Sequence, residues 1–240
     1  MTSQRPRTEI DPDRLRNWYD FQAPFYRLWR DDYDSPLVRA VAARLRSDLQ
    51  AGTIFDAGCG TGLFTIGLAS TDSAWRLVGL DMSAGMLAVA RKQADKLRLD
   101  NVSFGQGDVL ALPFGDATFD AAVAGGLFPN LNRPDDALRE LWRILKPGGR
   151  ILIVEFDRTS MSLVVRLFFR VMILGQRAVS TLVPRFRFAR RWNTRASTID
   201  RDAFRRDLRR TGFVERDVGL QASHVFFDCA KADSSGSRPG

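Results

Sequence analysis

The sequence predicts an α/β protein built on one doubly wound, mostly parallel sheet. Three observations carry this. Short apolar runs alternate with amphipathic helical stretches between residues 54 and 155; one run empties into Gly58, Gly60 and Gly62; and two later runs end on Asp81 and on the pair Gly107-Asp108. Parallel strands all finish at one edge of their sheet, so these residues are expected together there.

Residues 1–50 read as an N-terminal helical lid, 51–157 as the cofactor-binding core and 158–199 as a basic amphipathic insertion. Residues 200–230 read as the last helix and closing strands of the same core, and 231–240 as a disordered tail. The lid holds Trp18, Tyr19, Phe21, Phe25, Tyr26, Trp29 and Tyr33, including every tyrosine of the chain. Asp11 or Asp13 is placed to cap a first helix, and Ser35 before Pro36 to cap a second one running to about Leu49. Its aromatic face is expected to pack on the core.

In the core, strands are predicted over 54–57, 75–81, 102–106, 119–124 and 150–155, with helices over 63–69, 83–97 and 135–145. Ser83 is a cap candidate for the middle helix, and Lys146-Pro147-Gly148-Gly149 reads as a terminator and turn before the fifth strand. Beyond the insertion, Asp200 caps a predicted helix to about Arg210, and strands over 212–218 and 224–230 close the sheet.

The net charge of +8 is local in origin, because residues 158–199 contain nine arginines and no acid. As a helix, the stretch from Met161 to Leu182 places Arg166, Arg170 and Arg177 within about 40° of one another. Leu163, Val164, Leu167, Phe168, Val171, Met172 and Leu174 fill the remaining surface, and arginines then alternate with Phe186, Phe188 and Trp192. Two readings stay open: a helix buried in the core or in a homodimer interface, or a peripheral element over residues 161–192 with its arginines at anionic headgroups. The run is too short and too charged to span a bilayer.

Cys59 and Cys229 are far apart in sequence, which excludes a disulfide framework and a zinc cluster, so no metal is expected. The start, residues 1–16, lacks an apolar core of signal-peptide length. A reduced, cytoplasmic protein is expected, at most peripheral at the inner membrane face.

In Asp56-Ala57-Gly58-Cys59-Gly60-Thr61-Gly62 the glycines remove side chains where backbone approaches a ligand, and the helix that follows points free N–H groups at it. Asp81 lies nineteen residues past Gly62 and can accept from both hydroxyls of a ribose. Asp108 can accept from an exocyclic amine while Val109 packs on a flat ring. The result is an adenosine-sized constellation. A dinucleotide loop would need a third glycine at position 63, where Leu63 stands, and no P-loop pattern occurs.

These motifs, together with the stretch from Leu141 to Gly149, resemble the class I S-adenosylmethionine-dependent methyltransferases over about residues 14–157. The resemblance implies a Rossmann-like, seven-stranded sheet whose last strand is antiparallel. It implies that Asp56 and the loop residues Ala57, Gly58, Cys59, Gly60, Thr61 and Gly62 face the methionine part of S-adenosylmethionine. Asp81 would face the ribose, and Asp108 with Val109 the adenine; Tyr19, Tyr26, Met82, Gly107 and Gly125 complete the expected cofactor set, with S-adenosylhomocysteine as product. Within that class, Tyr19-Asp20-x-x-Ala23-x-x-Tyr26 is similar to the amino-terminal signature of the ubiquinone/menaquinone-biosynthesis C-methyltransferases. Arg27 stands where that family usually has Asp, and the segment Gly125 to Asn130 lacks the arginine of its Gly-x-Arg-Asn motif.

A sulfonium donor is already activated, so alignment and water exclusion are the main demands on the protein. Tyr26, Asn130 and the single histidine, His224, are the candidates for orienting or deprotonating an acceptor. The Asn/Asp-Pro-Pro-Tyr/Phe signature of nucleobase amine methylation is absent, which disfavours nucleic acid. The expected acceptor is a small, hydrophobic or lipid-like molecule. Two other classes remain as alternatives: an NAD-dependent oxidoreductase, and a non-catalytic cofactor-binding protein at a membrane.

Overall fold

The computed structural model describes residues 10–30, 33–156, 171, 174, 199–221 and 224–232. Two helices, α1 (Pro12–Arg30) and α2 (Pro36–Arg46), precede β1 (Gly52–Ala57), α3 (Leu63–Thr71), β2 (Trp75–Asp81), α4 (Ala84–Lys96) and β3 (Val102–Gln106). Then follow β4 (Phe119–Gly125), a single 3-10 turn (Phe128–Asn130), α5 (Pro134–Ile144) and β5 (Leu145–Phe156). A last helix, here α6 (Arg201–Thr211), leads into β6 (Phe213–Gln221) and β7 (His224–Lys231).

The seven strands form one sheet in the order β3-β2-β1-β4-β5-β7-β6. All neighbours from β3 to β5 are parallel, and β7 runs antiparallel to both β5 and β6. The order reverses between β1 and β4, which opens a crevice at the carboxyl edge there.

Alternation along each strand builds two core layers. Phe55, Ala122, Ile151, Ile153 and Phe227 pack under Leu138 and Leu141 of α5 and Phe204 and Leu208 of α6. Their chain neighbours Ile54, Val123, Leu152, Val154 and Phe226 turn to the opposite face, against Val38, Val41 and Leu45 of α2 and Phe64 and Leu68 of α3. Burial on both faces is why these strands read as unbroken apolar runs.

Several expectations are corrected. Helix α2 stops at Arg46 rather than near Leu49, with Ser47 as its C-cap. Lys146-Pro147-Gly148-Gly149 is not a separate turn but an irregular start of β5, with Gly148 at φ 72° and a register jump from Phe119↔Leu145 to Ala121↔Arg150. Lys231 belongs to β7 rather than to a tail: it is buried, and its Nζ donates to the Leu145 carbonyl at 2.8 Å and lies 3.8 Å from the Trp142 ring centre. The lid's aromatics are divided. Leu15, Trp18 and Ala23 are buried and Tyr19 and Tyr26 partly so, whereas Phe21 and Phe25 are exposed, because they sit off the stripe that meets the core. Asp11 is the residue at the start of α1 that accepts from the N–H groups of Asp13 and Arg14. The expected basic stripe of 161–182, the arginine-aromatic run 185–192 and most of the tail lie outside the described residues. Of the insertion only Val171 and Leu174 are described, as helical and exposed.

At the amino edge of the sheet a buried ion pair ties β5 to β7. Arg150 and Asp228 are 5% and 4% exposed and pair through both guanidinium nitrogens facing the carboxylate. The remaining Arg150 Nη1 donates to the Arg44 carbonyl, to Ser47 Oγ at 2.9 Å and to Asp48 Oδ2 at 2.9 Å, which docks the end of α2. Removing one partner strands the other charge in the interior. Arg150→Met should lower the urea unfolding free energy by about 3–5 kcal/mol, and the double variant Arg150→Met with Asp228→Leu should recover much of that loss.

Candidate donor and acceptor site

Past β1 the chain turns through Gly58, Gly60 and Gly62 at φ 67°, 55° and 89°, left-handed values open to glycine without strain. The loop is laced to the end of β2. Gly58 and Cys59 N–H both donate to the Leu80 carbonyl at 2.8 and 3.0 Å, and Gly60 N–H donates to Asp81 Oδ2 at 2.9 Å. A Cβ at Gly58 would meet Leu127 at 2.8 Å, whereas one at Gly60 would meet nothing within 4 Å. Gly60 is therefore the point where bare backbone faces open space. Ala57, Cys59 and Thr61 are buried, and Tyr33 Oη donates to the Thr61 carbonyl at 3.3 Å. Burial, reinforced by Asp56 and Asp81, pushes the Cys59 thiol well above its ordinary range, so it serves as packing and not as a nucleophile.

Asp81 stands beside this loop with both oxygens fixed: Oδ2 accepts from Gly60, and Oδ1 accepts from Ser83 N–H at 2.8 Å. Each carboxylate oxygen retains a second lone pair, which suits it to a vicinal diol. Burial raises its pKa, and the Ser83 and Gly60 N–H groups oppose that rise. Met82 follows, its carbonyl accepting from Gln106 Nε2 at 3.1 Å. One strand over, Gly107 N–H donates to the Asp81 carbonyl at 3.0 Å, Asp108 is exposed with Oδ1 accepting from Leu110 N–H at 2.9 Å, and Val109 is buried.

The other half of the edge belongs to β4, β5 and β7. Gly125 ends β4, where a Cβ would stand 2.2 Å from Phe64. Asn130 Nδ2 donates to the Gly126 carbonyl at 2.8 Å, while its buried Oδ1 has no donor among the described residues. Glu155, 1% exposed near the end of β5, accepts from Phe128 N–H at 3.0 Å and braces the same loop. His224 opens β7 opposite Phe156, with ring centres 4.4 Å apart. Since β7 is antiparallel, its first residue lies at the carboxyl edge, three strand spacings or about 14 Å from β1. Tyr19 and Tyr26 stand edge to face on α1 with ring centres 6.4 Å apart. The structure thus brings Asp56, the glycine loop, Asp81, Met82, Gly107, Asp108 and Val109 together at β1–β3, with Gly125 beside the loop on the neighbouring β4, and sets His224 apart from them on β7.

Four residues of the site were not among the candidates that sequence reasoning put forward. Asp20, on α1, accepts from Ser83 Oγ at 2.5 Å and Gly85 N–H at 2.8 Å. Thr65, Tyr33 and Glu155 are the others. Glu155 had a signal, since it ends an apolar run as Asp81 does; the partners of Asp20 and Tyr33 are distant in sequence and had none. Among the described residues no three His, Cys, Asp or Glu side chains converge on a metal position, and no helix is long and apolar enough to cross a membrane.

Asp56 is 1% exposed, and its Oδ2 accepts from Thr65 N–H at 2.9 Å and Thr65 Oγ1 at 2.6 Å, clamping β1 to the first turn of α3. This oxygen holds the loop from behind. Burial lifts the carboxyl from 3.8 to about 7, against the pull of both Thr65 donors. A folded-state pKa above the unfolded one means that the native state holds the proton through the interval between them. Stability from this group is therefore complete below about pH 4 and is lost as pH rises toward 7. Asp56→Asn, whose amide oxygen can still accept from Thr65, should flatten that part of the profile; urea midpoints of both proteins between pH 4 and 8 measure it.

Residues 55–153 match the Methyltransf_11 family, described as a methyltransferase domain. The chain is 38% identical to a ubiquinone/menaquinone biosynthesis C-methyltransferase, UbiE, of Agrobacterium fabrum, covering 61% of this chain and 54% of that one. It is 34% identical to a demethylmenaquinone methyltransferase of Renibacterium salmoninarum over 62% of this chain and 61% of that one. It spans about half the length of most of the curated relatives it matches, as with that of Lactococcus lactis at 53%. Among solved structures, the [4+2]-cyclase SpnF aligns with a TM-score of 0.69 at 19% identity, covering 92% of this chain and 96% of that one. Magnesium protoporphyrin IX methyltransferase of Synechocystis, solved with bound S-adenosylhomocysteine, aligns at 0.66 and 18%, covering 92% and 100%. Residues 55–153 thus match a methyltransferase domain, and the chain shares its mixed seven-stranded fold with solved structures that include a methyltransferase and a cyclase.

Proposed function

We propose that the protein transfers a methyl group from S-adenosylmethionine to a small, hydrophobic, quinone- or lipid-like acceptor. The observation that carries this reading is Asp81: a carboxylate held by two backbone N–H groups, with lone pairs left for two ribose hydroxyls, beside the open backbone at Gly60. The exposed Asp108 and buried Val109 fit the polar edge and flat face of an adenine. The donor supplies an activated methyl: as the acceptor's lone pair bonds to the methyl carbon, the carbon–sulfur bond breaks and its electron pair stays on sulfur, giving S-adenosylhomocysteine. The protein's own part is placement. The glycine loop and Asp81 fix the donor, α1 limits access of water, and Tyr26, Asn130 and His224 are the groups available at the acceptor end. Residues 51–157 and 200–230 would form the catalytic core and residues 1–50 its lid.

The acceptor class rests on the curated relatives' printed substrates and on the apolar, arginine-bearing composition of residues 158–199. Val171 and Leu174 are exposed helical positions, and we place residues 161–192 against an anionic membrane at the inner face. A fold shared with a [4+2]-cyclase does not by itself specify methyl transfer, so the label must be followed.

Three experiments test the proposal. Calorimetry should show S-adenosylhomocysteine binding that Asp81→Ala weakens by about 100-fold or more, the loss of two hydrogen bonds to a charged group. The wild type, given methyl-labelled donor and a lipid extract, should place label in the apolar fraction; binding without labelled product in any fraction would leave a cofactor-binding protein and not a transferase. For the membrane contact, wild-type protein should float with anionic liposomes and the Arg166→Glu, Arg170→Glu variant should not. Absence of wild-type flotation removes the membrane from the proposal.

A further inference from the structure

The amino-terminal helix reaches the sheet edge through three polar contacts. Ile10 and Asn132 exchange hydrogen bonds, Ile10 N–H to Asn132 Oδ1 at 2.8 Å and Asn132 Nδ2 to the Ile10 carbonyl at 2.6 Å, which ties the approach to α1 to the loop after β4. Tyr33, after α1, donates to the Thr61 carbonyl of the glycine loop. Between them Asp20 Oδ1 accepts from Ser83 Oγ at 2.5 Å and from Gly85 N–H at 2.8 Å, at the start of α4.

Ser83 is the junction. It is fully buried, its Oγ accepts from Met86 N–H at 3.1 Å as the helix cap, its hydroxyl hydrogen is directed to Asp20, and its own N–H donates to Asp81 Oδ1 at 2.8 Å. Asp20 also satisfies Gly85 N–H, one of the first-turn donors that α4 cannot satisfy itself. A carboxylate here meets the positive end of the α4 dipole as well. Geometry leaves little slack, since a Cβ at Gly85 would stand 3.0 Å from Asp20 Cα and 3.2 Å from its carbonyl oxygen.

We infer that Asp20 is a positioning residue of the donor site, coupling the docking of helix α1 to the orientation of the Asp81 carboxylate through Ser83. The inference rests on the donor reading of Asp81 above. With Asp20 in place, Ser83 is held, its N–H fixes Asp81 Oδ1, and the carboxylate presents its remaining lone pairs in one orientation. With Asp20 withdrawn, Gly85 N–H loses its acceptor and Ser83 Oγ is left with Met86 N–H alone, so the turn that aims Ser83 N–H at Asp81 Oδ1 is held less firmly. Coupling is reciprocal, so a donor that selects the oriented carboxylate also favours the docked helix.

The test is calorimetric titration with S-adenosylhomocysteine, paired with hydrogen exchange of the α1 amides with and without that ligand. Wild type should bind and show slower α1 exchange on binding. Asp20→Ala should bind roughly tenfold more weakly and lose the added protection. Asp20→Asn, which keeps an acceptor oxygen of similar capping strength, should stay within about twofold of wild type. Gly85→Ala attacks the same contact from the α4 side: its Cβ would stand 3.0 Å from Asp20 Cα, so affinity should fall as in Asp20→Ala, with a cooperative thermal transition showing that the variant is folded. If Asp20→Ala does not fold, Gly85→Ala alone decides. Wild-type affinity and α1 protection retained in both variants would overturn the inference while leaving the donor reading standing; a wild type that binds no S-adenosylhomocysteine would overturn both.

Discussion

The attachment of the glycine loop to the end of β2 is the constraint from which the rest of the site follows. A loop with three left-handed glycines has little intrinsic reason to hold one shape, because glycine loses more conformational freedom on ordering than any other residue. Here three consecutive N–H groups are used to anchor it, two on the Leu80 carbonyl and one on the Asp81 carboxylate. Behind the loop, Thr65 of α3 is clamped to Asp56. The open backbone at Gly60 is therefore presented by two strands and a helix.

Asp81 carries a double duty that explains its environment. It is structural, since its oxygens accept from Gly60 and Ser83, and it keeps acceptor capacity for a ligand. Asp20 adds a second negative charge nearby and raises its pKa further, although less than burial does. Two carboxylates within one small cluster are tolerable because each is met by N–H donors: Gly60 and Ser83 for Asp81, Gly85 for Asp20. Substituting the donors' geometry, and not only the acids, should consequently disturb the site.

Much of the sheet and the donor half was legible because its signals are local. Gly58, Gly60, Gly62 and Asp81 sit at strand ends that apolar runs announce, because β-strands buried on both faces leave such runs, and Asp108 and Val109 follow the shorter edge strand β3. Boundaries were less legible where hydrogen bonding, not pattern, decides: Lys146-Pro147-Gly148-Gly149 looks like a turn, yet pairing of Leu145 with Phe119 keeps it inside β5. Lys231 looks like the start of a polar tail, yet its ammonium finds the Leu145 carbonyl and the Trp142 ring. Asp20 was visible as part of a signature without its partners being visible, since the contacts to Ser83 and Gly85 span more than sixty residues.

This difference in legibility separates donor from acceptor. The matched domain, residues 55–153, contains the glycine loop, Asp81, Asp108 and Val109, so the proposed donor half lies wholly inside the part that the family model matches. The groups at the acceptor half come largely from elsewhere: Ile10 and Tyr26 precede the match, Glu155 lies just beyond it, and His224 follows it by a long interval. Even Asn130, which lies inside the match, is reached by the lid through its neighbour Asn132. A site assembled in this way can keep its donor chemistry while its acceptor changes, because substitutions at residues 10–33 or 224 leave the β1–β2 lacing untouched. Asp20 and Tyr33 are the exceptions, being outside the shared domain yet bonded to its Ser83 and to its Thr61 carbonyl, and it is there that a change in the lid would reach the glycine loop and Asp81.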